Sequence, residues 1–277
     1  MAELPLLHVR GLTITYRGAA APALHGVDLD LATGARLVLI GESGSGKSTL
    51  AMAVCGLLPP GTRVDGDIDF PAFTLLPTLG RDIGVLFQDP SGSLNPVLTI
   101  GEQIAEVLVV HRGQDWHAAM AEAARLLARV HIPPARLRDH PHQFSGGQRQ
   151  RIALAAALAA GPALLVADEP TSALDSVVQA ELVALLDTLV REERLSLVFI
   201  THDIALASQL ADHVAVLYAG AVVESGPAAA VLASPSHAYT RALLATRLDL
   251  DTPRAARLAE IDPDDFAVIH PGRRDRG

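Results

Sequence analysis

A single cysteine, Cys55, in a chain of 277 residues leaves no disulfide framework and no all-cysteine metal site. That economy suits a reducing compartment. Positive charge is also scarce, with 22 Lys and Arg against 31 Asp and Glu and a net charge of -9. A nucleic-acid surface needs clustered basic side chains, so no nucleic-acid partner is expected, and the short basic ending "PGRRDRG" reads as a solvated tail. Long apolar runs are missing too. "IALAAALAAGPALLVA", residues 152–167, falls short of the ~20 residues of a spanning helix. Gly161-Pro162 breaks it, and it runs straight into Asp168 and Glu169. It reads as an Ala-rich buried helix, a turn and a buried strand. The opening "MAELPLLHVRG" has no basic region leading an apolar stretch, so no secretory signal is expected. A soluble protein is implied, and any membrane business would have to be done through partners.

What is present is a glycine-rich loop. "GESGSGKSTL", residues 41–50, follows the apolar run "ARLVLI". Glycines allow the tight turns that bring N–H groups together, and a helix starting there adds unpaired donors and a positive dipole end. Gly41, Gly46, Lys47 and Ser48 fit the phosphate-loop spacing G-x-x-x-x-G-K-[ST]. In that pattern the lysine reaches the β- and γ-phosphates and the next hydroxyl binds Mg²⁺. The nucleotide cradle is therefore placed at Gly41, Ser43, Gly44, Ser45, Gly46, Lys47, Ser48 and Thr49.

The chain is organised in three stretches. Up to about residue 90, alternation in "LLHVRGLTITYRG" and "ALHGVDLDLATGARLVLIG" predicts half-buried antiparallel strands. From about 95 to 160, "TIGEQIAEVLVVHR" and "WHAAMAEAARLLARVHI" have the three- and four-residue spacing of amphipathic helices, broken by Pro133, Pro134 and Pro141. Strands alternating with helices then predict a parallel sheet covered on both faces. The tail after Leu244 carries no readable pattern.

Four apolar runs stop at residues able to do chemistry. "RLVLI" ends at the phosphate loop, "DIGVLF" at Gln88, "ALLVA" at Asp168 and Glu169, and "LSLVFI" at Thr201 and His202. Parallel sheets bind ligands at the carboxyl ends of their strands, so these groups are expected on one rim. Asp168, with Ser48 and Gln88, is the candidate holder of Mg²⁺. Glu169 is the candidate general base that polarises water for attack on the γ-phosphorus. His202 is suited to hold the γ-phosphate, Glu169 and the water in line; Gln88 offers an amide oxygen to Mg²⁺ or to that water.

"FSGGQRQ" is a second glycine pair at a helix start, with Ser145 as N-cap. One nucleotide is not expected to touch both sites of one chain. A head-to-tail pair of domains, isologous or pseudo-twofold, would let each such helix start complete its neighbour's site.

Together these segments resemble the ATP-binding cassette (ABC) ATPases. "GESGSGKST" is similar to the Walker A loop, Gln88 to the Q-loop, "FSGGQ" to the signature, "LLVADE" to Walker B, "SALD" to the D-loop and His202 to the switch histidine. The resemblance covers roughly residues 5–245, with every motif in order. It implies an α/β P-loop NTPase fold with an antiparallel β subdomain and a helical insertion. The ATPase domain is then 1–245 and the tail 246–277. It implies ATP and Mg²⁺ as cofactors and Tyr16 stacked on adenine. Ser145, Gly146, Gly147 and Gln148 would act across a sandwich dimer, and Asp175 would line the same interface.

"QDPSGSLNPVLTIGEQI", "ADEPTSALDSVVQAEL" and "SPSHAYTRALL" look like the oligopeptide, dipeptide and nickel importer branch. That likeness implies two transmembrane permease subunits, a second and paralogous ABC ATPase, and an extracytoplasmic substrate-binding protein. It places the chain on the cytoplasmic side of a bacterial membrane, with the segment after Gln88 touching the permeases. Gln148 departs from the methionine frequent in this branch, and the link from Val64 to Ile83 is short. A cysteine-rich extension seen in peptide-importing relatives has no counterpart here, which keeps nickel or a metal chelate open beside peptides. A non-transport ABC ATPase of DNA repair or translation is the rival of another class; the long heptad arms or second cassette of such proteins are not seen.

Overall fold

The computed structural model describes residues 4–88, 93–172 and 174–248. Strands β1 (Pro5–Thr15) and β2 (Leu24–Ala32) pair antiparallel, and β4 (Arg63–Asp69) pairs antiparallel on the other side of β1. The second sheet has six strands in the order β5-β6-β7-β3-β8-β9. They are β3 (Arg36–Ile40), β5 (Ile83–Leu86), β6 (Leu164–Asp168), β7 (Ser196–Ile200), β8 (His213–Tyr218) and β9 (Ala221–Pro227). The five strands from β5 to β8 run parallel; only β9, at the edge, is antiparallel.

The antiparallel part is thus smaller than the alternation implies. "RLVLI" leaves it and becomes β3, between β7 and β8. The reason is its burial on both faces, which a strand central to a covered parallel sheet requires. Leu37 and Leu39 join one apolar core with β1, β2 and helix α1 (Lys47–Val54). Val38 and Ile40 join the other, with the helices of the opposite face. Strand β4 falls in the stretch read only as a link. Its sequence, RVDGDID, is almost wholly exposed and carries little apolar signal, so pairing with β1 rather than burial defines it.

The helical stretch contains α2 (Ile100–Arg112), α3 (Trp116–Arg129) and α4 (Gly146–Leu158). Thr99 and Glu102 close a capping box on α2, and Asp115 caps α3. Each proline break seen in the sequence becomes a 3-10 turn, Pro134–Arg136 and Pro141–Gln143. Helices α5 (Ser176–Glu193) and α6 (Ile204–Leu210) follow β6 and β7. The chain closes with α7 (Ala228–Ala233) and α8 (Ala238–Leu248). Residues 249–277, most of the tail set apart above, lie outside the described residues.

Candidate active site

The sheet order sets β5, β6, β7 and β3 side by side with their carboxyl ends on one edge. Asp168, Ile200 and Leu39 share one row across three strands. The next peptide groups continue the register, with Glu169 N–H donating to Ile200 O at 3.0 Å and Thr201 N–H to Leu39 O at 3.1 Å. Gln88, Asp168, Glu169, His202 and the 41–49 loop therefore open onto the same rim.

In the loop, Gly41 and Gly46 are geometrically required. A Cβ on Gly41 would lie 2.2 Å from Leu217 O; at Gly46, with φ 106°, it would meet Leu24 Cδ2 at 2.6 Å. Helix α1 starts at Lys47 with no side-chain cap and no acidic residue in its first turn. Its leading N–H groups are left for an outside partner, which the dipole favours as an anion. Lys47, 4% exposed, donates from Nζ to Gly41 O at 2.9 Å and to Glu42 O at 2.8 Å. Burial lowers the ammonium's pKa, while Glu169, Asp168 and Glu42 oppose the shift. Ser43, Gly44 and Ser48 are exposed along the loop, and Ser45 and Thr49 are buried.

Burial raises the Asp168 carboxyl above its ordinary value. The Ser48 hydroxyl and Lys47 pull it down, and Glu169 adds to the rise. Asp168 Oδ1 is buried without a hydrogen-bond partner. An orphaned carboxylate oxygen beside a serine hydroxyl fits a hard cation, which prefers oxygen ligands. Glu169 takes the left-handed conformation, φ 44°, at a cost of about 1–3 kcal/mol for a non-glycine residue. Its Oε2 lies 3.5 Å from His202 Nδ1, and the His202 side chain is exposed.

Two signature residues, Ser145 and Gln148, close a capping box on α4. Ser145 Oγ accepts from Gln148 N–H at 3.3 Å, and Gln148 Oε1 accepts from Ser145 N–H at 3.1 Å. A Cβ on Gly147 would lie 2.3 Å from Val178 Cγ1, so this glycine lets α4 approach the start of α5. Asp175 caps α5 through Val177 and Val178 N–H. The starts of α4 and α5 thus lie together. Tyr16 does not lie free: its hydroxyl is 3.0 Å from Thr49 Oγ1.

A protein-family model described as "ABC transporter" matches residues 24–172. The chain belongs to the ABC transporter family. It is an ATPase of that family, which implies nucleotide binding. The oligopeptide transport ATP-binding protein OppD of Bacillus subtilis is 40% identical, over 98% of this chain and 79% of that protein. The dipeptide transport ATP-binding protein DppD of the same organism is 40% identical, over 96% and 84%. An ATP-binding cassette solved as a dimer after hydrolysis, with ADP and Pi, is 29% identical with a TM-score of 0.70, covering 80% of this chain and 98% of that one. The cbiO1 subunit of Clostridium perfringens, part of an ABC transporter complex, is 26% identical with a TM-score of 0.71, covering 90% and 96%.

Two contacts of the ABC cassette went unread in its sequence. Gln150, 1% exposed in α4, donates from Nε2 to Phe87 O at 3.1 Å and so ties the signature helix to the approach to Gln88. Tyr239 in α8 accepts the Glu42 N–H at 3.1 Å. The quoted "SPSHAYTRALL" held the only signal for the second, a buried aromatic in a polar setting. Residues 89–92, the start of the segment after Gln88, and Ala173 of "SALD" lie outside the described residues. Among the described residues no helix is long and apolar enough to cross a membrane.

Proposed function

We propose that this chain is one of two ATPases driving a bacterial importer of di- and oligopeptides. The observation that carries the reading is the shared rim of β5, β6, β7 and β3, where the phosphate loop, a strained glutamate and an exposed histidine face one another. Peptides are preferred to nickel or a metal chelate because OppD and DppD are named for oligopeptide and dipeptide transport. The same likeness favours transport over DNA repair or translation.

In this reading the ATPase domain spans 1–245. Gly41 and the loop from Ser43 to Thr49 cradle the triphosphate through backbone N–H groups, with Lys47 as the cation and Tyr16 beside the adenine. Asp168, Ser48 and Gln88 would hold Mg²⁺, which, when bound, neutralises charge building on the phosphate oxygens. Glu169 takes a proton from the attacking water, whose oxygen bonds to the γ-phosphorus as the bond to the ADP oxygen breaks. ADP leaves with that electron pair. His202 keeps the carboxylate and water in line. Ser145, Gly146, Gly147 and Gln148, with Asp175 at the same seam, cover the nucleotide of the partner ATPase, a paralogue or second copy. Closure on ATP and release on hydrolysis shift the two transmembrane permease subunits between states. The chain then works at the cytoplasmic face of the membrane, and the extracytoplasmic binding protein touches it only through the permeases. No nucleic acid takes part.

Reconstitution tests this. The chain is assembled with a permease pair and a partner ATPase identified by co-purification, and ATP hydrolysis is followed with binding protein loaded with peptides or with nickel. Peptide-loaded protein should stimulate turnover. Stimulation by nickel alone, or co-purification with DNA or ribosomes instead of permeases, would remove the peptide-importer reading.

A further inference from the structure

The peptide group joining Gly41 to Glu42 is held at both polar ends. Its carbonyl accepts Lys47 Nζ at 2.9 Å, and its N–H donates to the Tyr239 hydroxyl at 3.1 Å. A peptide group is planar, so these contacts fix one plane. Any turn that frees the N–H also swings the carbonyl away from the ammonium. The next carbonyl, of Glu42, is the second acceptor of Lys47 Nζ. The lysine is thus seated on two successive carbonyls, the first braced from behind by a side chain 197 residues later in the chain.

Tyr239 is itself held firmly. It is 5% exposed, and its ring centroid lies 4.2 Å from that of Tyr218. Tyr218 follows Leu217, whose carbonyl fills the space a Cβ on Gly41 would need. Just before α8, Ser236 N–H and Oγ and His237 N–H all donate to the Glu224 carboxylate on β9, at 2.7, 2.9 and 3.1 Å. Burial raises the Tyr239 phenol above its ordinary value, the Glu42 N–H pulling the other way, so the hydroxyl stays protonated at neutral pH. Glu42 N–H, once taken by Tyr239, is not one of the free donors at the start of α1.

We propose that Tyr239 is a positioning residue for nucleotide binding. Through the Gly41–Glu42 peptide group it sets the acceptors that aim Lys47 Nζ, and so makes affinity for the triphosphate depend on the docking of α8. This rests on Lys47 as a phosphate ligand in the site proposed above. A purely structural role would be ring packing on Tyr218, which does not need the hydroxyl.

The test is a double-mutant cycle in the full chain with Tyr239→Phe, Lys47→Ala and both together. Tyr239→Phe keeps the ring and removes only the hydroxyl, which accepts the Glu42 N–H. The reading is the Kd for the fluorescent analogue mant-ATP with Mg²⁺, with thermal melts in parallel. Tyr239→Phe should weaken binding about fivefold in the parent and leave it nearly unchanged in the Lys47→Ala background, the size expected for one lost hydrogen bond. Exchange of the Glu42 amide hydrogen, followed by NMR, should quicken in Tyr239→Phe. Equal weakening in both backgrounds, or no weakening in the parent, overturns the positioning role; so does unchanged Glu42 exchange. Parent-like binding by Lys47→Ala alone sinks the phosphate-ligand reading, and Tyr239 falls with it.

Discussion

His202 Nδ1 stands 3.5 Å from Glu169 Oε2, each just beyond the end of one of two neighbouring parallel strands. The gap is too long for a strong hydrogen bond, as befits groups that close only around a bound substrate. If Glu169 is the base, Glu169→Gln should cut ATP hydrolysis by about a hundredfold or more while leaving mant-ATP affinity near the parent value. His202→Ala removes an orienting partner and should cost less, about tenfold or more. Steady-state phosphate release and equilibrium binding decide both. Parent-rate turnover by Glu169→Gln would take the base role from this residue.

In the proposed dimer Ser145 would have two separable duties. As the cap of α4 it stabilises the fold, so Ser145→Ala should cost about 1 kcal/mol in urea unfolding of the isolated chain. Ser145→Asp preserves a capping oxygen but sets a carboxylate where the partner's triphosphate would lie. Its stability should stay near the parent's while hydrolysis by the assembled pair is lost. An aspartate variant that hydrolyses ATP normally would show that this helix start never meets a nucleotide.

Glu224 links α8 to the sheet in a pH-dependent way. Burial would raise its pKa, but the nearby Thr240 hydroxyl and the donors of Ser236 and His237 outweigh this and bring it to about 2, against 4.5 ordinarily. A depressed folded pKa means the unfolded chain takes up the proton first. The stabilisation is therefore whole above about pH 4.5 and is lost as pH falls through that value toward 2. Glu224→Gln should be less stable than the parent near pH 7, and the gap should narrow steadily below pH 4.5. Urea melts from pH 7 to pH 3 measure it; a gap independent of pH would contradict the linkage.

Much of the candidate site was legible because its signals are local. The glycine spacing of the phosphate loop, the apolar runs before Gln88, Asp168 and Thr201, and the Ser145 cap depend on neighbours a few residues apart. Their meeting on one rim followed from a general property of parallel sheets. The extent of the antiparallel sheet was not legible. RLVLI is a short continuous apolar run inside a stretch of alternating strands, and its burial on both faces sets β3 apart from them. RVDGDID has almost no apolar face to declare it a strand.

By itself, then, the sequence determined the kind of loop at residues 41–49, the helical stretch with its Ser145 cap and proline breaks, and which carboxylates and histidine stand at strand ends. Those features arise from backbone sterics and side-chain chemistry within a few residues. Tertiary structure alone decided that β3 lies between β7 and β8, that Gln150 reaches Phe87, and that Tyr239 grips the peptide behind Lys47. Such contacts join residues distant in the chain, and only the burial of a shared core brings them within a hydrogen bond's reach.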